Sequence, residues 1–110
     1  MTSSAVIRRL PHWRLLVAVG AVAFTLAGCA GSTEGLFGAE LYARSCAGCH
    51  GGEGGGGSGP ALGAGSGAVE LSDDQIIGVI EVGPGTMPAF DRLTDDQIAS
   101  LVAFLRTLQQ

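Results

Sequence analysis

The 110-residue chain contains no lysine, and only three cysteines, two histidines, two methionines and one tryptophan; aromatic residues make up 5%. Charged residues are sparse at 15% and unevenly placed. Three of the six arginines (Arg8, Arg9, Arg14) precede the apolar run, and all ten acidic residues follow it. From Cys29 onward, three positive charges stand against ten negative ones, a balance of −7. Nothing in that portion can neutralise phosphates, which excludes a nucleic-acid binder. The length allows one domain and excludes a multidomain enzyme with a large buried active site. The apolar run, Leu15 to Ala27, has 13 uncharged residues, too few for a helix to cross a bilayer.

That run has the layout of a secretory signal, with a positive region before it and small residues at its end. It closes on Leu26-Ala27-Gly28-Cys29, which resembles the bacterial lipobox. The resemblance implies cleavage after Gly28 and lipidation of Cys29, where several acyl chains would give stable membrane attachment. Arg8-Arg9 fits twin-arginine export poorly, and Sec-type export is the reading adopted. Three parts follow: a signal peptide at 1–28, the lipidated Cys29 and a short tether at 29–35, and a folded domain at 36–110. Ala30 to Gly35 would reach about 20 Å at full extension. The expected location is the outer face of a cell membrane or a periplasmic membrane surface.

A domain this small draws little stability from its own core and needs a staple. With Cys29 acylated, two cysteines remain, three positions apart, and a disulfide between them would close a tiny loop and stabilise little. They stand in Cys46-Ala47-Gly48-Cys49-His50. The spacing places two thiols in one turn, where they can add to the vinyl groups of a haem, with the next imidazole over the ring. In an exported chain this pattern reads as c-type haem attachment. A thioredoxin-like pair would need a βαβ context that is not visible. Zinc would need two more ligands, yet the other histidine, His12, lies in the signal.

Besides Met1 the only methionine is Met87, in Gly85-Thr86-Met87-Pro88-Ala89-Phe90. On spacing alone it is either core filler or the sixth ligand of a haem iron. With these residues the mature chain resembles a small class I cytochrome c, close to the cytochrome c6 and c551/c552 group and to haem subunits of respiratory oxidases. The resemblance implies an all-α fold of three to four helices wrapped around one haem c, held by two thioether bonds to Cys46 and Cys49. It also implies His50 as proximal ligand and Met87 as distal ligand. Gly59-Pro60-Ala61-Leu62 matches the family segment in which the proline carbonyl accepts a hydrogen bond from the proximal imidazole and the leucine packs on the ring. Carried over, Pro60 fixes the His50 tautomer and Leu62 lies on the haem.

Gly51 to Gly67 holds ten glycines in 17 positions, so a loop is expected there, mobile in part at 51–59. Leu71-Ser72-Asp73-Asp74-Gln75-Ile76 and Leu93-Thr94-Asp95-Asp96-Gln97-Ile98 each carry a capping box, and the paired aspartates favour a helix start. Helix-start chemistry accounts for those acid pairs without catalysis. Ile98, Leu101, Val102, Leu105 and Leu108 form one apolar helical face with Phe104 beside it. Leu36, Phe37, Leu41 and Tyr42 are expected on one face of a first helix, with Gly38 admitting a close neighbour and Phe104 meeting Gly38 or Tyr42. Ile76, Ile77 and Ile80 are expected at the haem edge and core.

Such a molecule would carry electrons and would not be an enzyme, since no nucleophile, general base or small-molecule substrate site is apparent. Its partners would be redox proteins that donate and accept electrons, at least one presenting a basic docking patch to the acidic surface. Two other readings stay open: a permanently docked haem subunit of a membrane oxidase or dehydrogenase, and an open-site haem sensor or peroxidase-like protein.

Overall fold

The computed structural model describes residues 31–110. The segment read as a signal peptide, with His12, and Cys29 lie outside the described residues. The elements are α1 (Gly38–Ser45), a single turn α2 (Ala47–His50), a 3₁₀ turn (Gly67–Glu70), α3 (Asp73–Val82) and α4 (Asp95–Leu108), with no strand among the described residues. No helix among them is long and apolar enough to cross a membrane.

The two repeated hexamers start α3 and α4. Ser72 Oγ accepts from the Gln75 backbone N–H at 3.2 Å and Thr94 Oγ1 from that of Gln97 at 3.2 Å. Each glutamine Oε1 accepts in return from the backbone N–H of its cap residue, completing both boxes. Thr94→Ala is therefore expected to cost about 1 kcal/mol and to lower Tm by roughly 4–8 °C, read from a thermal melt.

One face of α4 makes the core. Ile98, Leu101, Val102 and Leu105 are buried with Leu41 and Tyr42 of α1 and Ile76 and Ile80 of α3. Tyr42 and Phe104 stack at a tilt with ring centroids 5.2 Å apart, the aromatic contact expected from the sequence. Arg106 ties α4 to α3 through Asp73 and the Leu71 carbonyl.

The first helix differs from expectation at its start. Phe37 is the N-cap residue and is 49% exposed, so it is not part of the buried face. A side chain on Gly38 would meet nothing within 4 Å, so close approach does not explain this glycine; its φ of +51° does. Its N–H donates to Ser100 Oγ at 2.9 Å, which fixes the start of α1 against α4.

Candidate functional site

Burial of α1 against α4 carries the chain directly into Cys46–His50. The α1 C-cap leads into the α2 turn, where the His50 N–H donates to the Cys46 carbonyl at 3.0 Å. No disulfide joins Cys46 and Cys49, of which the first is half-buried and the second exposed. Burial, and secondarily the neighbouring Cys49, pushes the Cys46 thiol up to about 11, so the free thiol is protonated at neutral pH. Burial also raises Tyr42, whose hydroxyl donates to the Gly51 carbonyl at 2.7 Å.

The glycine-rich stretch has no regular structure beyond the 3₁₀ turn, but its backbone is densely hydrogen-bonded. The Gly56 N–H donates to the His50 carbonyl at 2.7 Å and the Gly59 N–H to the Cys49 carbonyl at 2.9 Å. The Gly54 carbonyl accepts from both Leu62 and Gly63. These bonds fold the loop back over His50 and lay Pro60 beside the imidazole. His50 Nδ1 lies 2.7 Å from the Pro60 carbonyl oxygen, which can only accept, so Nδ1 carries the proton and Nε2 keeps its lone pair. A side chain at Gly59 would come within 2.9 Å of His50 Cε1 and 3.1 Å of Nδ1. Glycine at 59 is what admits the ring.

These residues line one cavity of about 640 Å³. Cys46, Cys49, His50, Pro60 and Leu62 contribute to its wall, Ile76, Val79 and Ile80 of α3 and Leu101 and Leu105 of α4 to its floor, and Met87 to the loop that borders it. The six residues singled out from the sequence for the haem site thus line one cavity. Sequence reasoning missed Gly83, which ends α3 in the left-handed region at φ +62°. A Cβ there would fall 2.5 Å from the Pro88 carbonyl carbon and 2.6 Å from the Met87 oxygen. The Phe90 N–H donates to the Ile80 carbonyl at 3.0 Å, so the methionine loop folds tightly back on the end of α3. A glycine after the last apolar residue of a helix is a stop signal; that the following loop packs on it was not legible.

An apolar slot of this volume lies in the ordinary range for bound cofactors. Two thiols, an imidazole with its metal-binding nitrogen free, and a thioether form a donor set that fits a flat, mostly apolar ring carrying a soft or borderline metal. Among the described residues no cluster of three or more histidine, cysteine or acidic side chains could hold a bare metal ion.

Comparisons with known proteins bear on the family. The family model described as Cytochrome C oxidase, cbb3-type, subunit III matches residues 35–105. Among solved structures, cytochrome cL from Hyphomicrobium denitrificans is 32% identical, with 66% of this chain and 45% of that chain covered and a TM-score of 0.60. The c-type cytochrome KustC0563 is 26% identical, with 68% of this chain and 100% of that chain covered and a TM-score of 0.60. Cytochrome c6C from Synechococcus sp. PCC 7002 is 27% identical, with 62% and 89% covered and a TM-score of 0.52. The chain thus spans less than half the length of the cytochrome cL it resembles, and nearly all of the two smaller proteins. No curated protein matches the sequence. A helical fold around an apolar slot, a Cys-x-x-Cys-His turn in its wall and a family match over most of the chain lead to one assignment: the chain belongs to the cytochrome c oxidase, cbb3-type, subunit III family, as a class I c-type cytochrome domain with a single covalently bound haem c.

Proposed function

We propose that the protein transfers single electrons between redox complexes through a haem iron ligated by His50 and Met87, while tethered to a membrane through Cys29. The observation that carries this reading is the placement of His50 and Met87 in the walls of the same apolar cavity, with His50 Nδ1 engaged by Pro60 and Nε2 free.

Bound haem supplies the one-electron iron couple. Cys46 and Cys49 would hold it by thioether bonds, which takes the thiols out of redox chemistry. Pro60 orients the imidazole and increases its basicity. Leu62, Ile76 and Leu101 exclude water from the ring face. A thioether and an apolar surround both favour ferrous iron, which raises the reduction potential. His50 and Met87 would hold the iron between them and leave no side-chain site for a substrate there, so the chemistry the bound group would supply is transfer of an electron. All ten acidic residues are exposed, which supports a partner with a basic docking patch and association that weakens with salt.

The test is potentiometric titration of the haem-loaded protein secreted as Cys29→Ser. A reversible single-electron transition without peroxide turnover is expected; turnover of peroxide at an open iron would overturn the carrier reading. A docked oxidase subunit is the second reading, favoured by the description of the matching family and by exposed Val69 and Val82. Copurification of the full chain with a membrane oxidase from gently solubilised membranes would select it.

Gly83 bears on the same site. Gly83→Ala places a methyl group against the Met87–Ala89 backbone in a conformation that costs an L-residue about 1–2 kcal/mol before any clash. The expected result is a lower Tm and partial loss of methionine ligation, seen as a weakened ferric sulfur-to-iron absorption band.

A further inference from the structure

Gln97 does two things at once. Its Oε1 accepts from the Thr94 N–H, closing the cap of α4, and its Nε2 donates to the Thr33 carbonyl at 2.7 Å and the Leu36 carbonyl at 3.1 Å. The side chain is buried, so these bonds are shielded from water and the segment before α1 is clasped to the fold. Thr33, placed in the tether by the sequence reading, is therefore held. A second contact lies further upstream, where the Arg44 guanidinium occupies the space that a side chain on Gly31 would take. The chain thus leaves the domain along the outside of α1.

That outer face is unlike the inner one. Leu41 and Tyr42 point into the core, while Ala39, Glu40, Ala43 and Arg44 are exposed and Phe37 stands half-exposed at the head of the helix. Of these five, none lines the haem cavity, which takes Tyr42, Ser45 and Cys46 from this stretch. Gly31 is two residues from Cys29, a reach of about 7 Å at most. An acyl anchor at Cys29 therefore brings the bilayer surface to the side of α1, not to an arbitrary side of the molecule.

We propose that the outer face of α1 rests on the lipid headgroups, with Phe37 at the interface and Arg44 near the phosphates, and that the Gln97 clasp sets this orientation. The inference rests on lipidation of Cys29. An aromatic side chain and an arginine beside an acyl anchor are the residue types that settle at a lipid interface. Glu40 on the same face opposes anionic lipid, so zwitterionic headgroups are the fitting partner. With α1 toward the lipid, Val82 and the methionine loop lie on a different face, open to a soluble partner.

The experiment uses the mature, haem-loaded protein lipidated at Cys29, in phosphatidylcholine vesicles. With Cys29 acylated and Cys46 and Cys49 bonded to haem, a single introduced cysteine takes a nitroxide label, either at Ala43→Cys or at Val82→Cys. Electron paramagnetic resonance then reads accessibility to oxygen, which partitions into lipid, against a water-soluble nickel chelate. The ratio is expected to be several-fold higher at position 43 than at position 82. Gln97→Glu keeps the acceptor that caps α4 but sets a carboxylate against two carbonyls, and should bring the two ratios together; Phe37→Ser should reduce the ratio at 43 without touching the clasp. Protein that sediments with the vesicles but shows equal, water-like ratios at both positions overturns the orientation and leaves the anchor standing. Protein that stays in the supernatant overturns the anchor and the orientation together.

Discussion

Cys46→Ser/Cys49→Ser is expected to abolish covalent haem and, with it, the folded state. The haem slot is about 640 Å³, and without haem its apolar lining would face water. A domain of this length draws only ~3–5 kcal/mol from its own core, which leaves little margin for that exposure. The eight buried apolar residues of the core are shared between the helix contacts and the cavity floor, so haem is in effect the largest side chain of the core. The expected result is a haem-free band on a denaturing gel and loss of most helical circular dichroism. A helical, cooperatively melting protein without haem would show that α1, α3 and α4 are sufficient by themselves. The single variant Cys49→Ser should retain haem through Cys46 and fold with a lower Tm, which separates loss of attachment from loss of the cofactor.

The second large effect is at the opposite wall. Met87→Ala removes the only candidate thioether in the described structure. The reduction potential is expected to fall by on the order of 0.1 V, within the span of roughly 0.8 V that axial ligands cover. Carbon monoxide should bind ferrous iron where it does not in the parent protein. Met87 is only half-buried, so truncation should cost less than the 2–5 kcal/mol typical of a core methionine and the protein should stay folded. A lowered potential with an unchanged melt would identify Met87 as a ligand and not as packing. A variant with the parent potential and no affinity for carbon monoxide would place the sixth ligand elsewhere.

How much of this was legible in the sequence follows from which contacts are local. The starts of α3 and α4 were, because Ser72 with Gln75 and Thr94 with Gln97 act within three residues. The Cys46–His50 turn was, because the chemistry fits within one helical turn. The apolar face of α4 was also readable, along with its aromatic contact to Tyr42. What was not legible depends on chain separation. The second role of Gln97 needs Thr33 to come back to it across the fold, and Gly83 matters because the methionine loop returns over the end of α3. Leu36 and Phe37 lie outside α1 for a related reason: helical periodicity counts both into the first helix, while the helix starts at the left-handed Gly38. The glycine stretch offered no pattern at all, since its order comes from backbone bonds to Cys49, His50 and Gly54 that no side chain announces.

The measurement that tests the central claim most directly is the absorption spectrum of secreted, haem-loaded Cys29→Ser protein, recorded ferric and ferrous, with and without carbon monoxide. The account predicts a low-spin ferrous spectrum that carbon monoxide leaves unchanged, and a weak ferric sulfur-to-iron band that Met87→Ala removes. A high-spin spectrum that shifts on adding carbon monoxide would contradict His50/Met87 ligation and the electron-carrier role built on it.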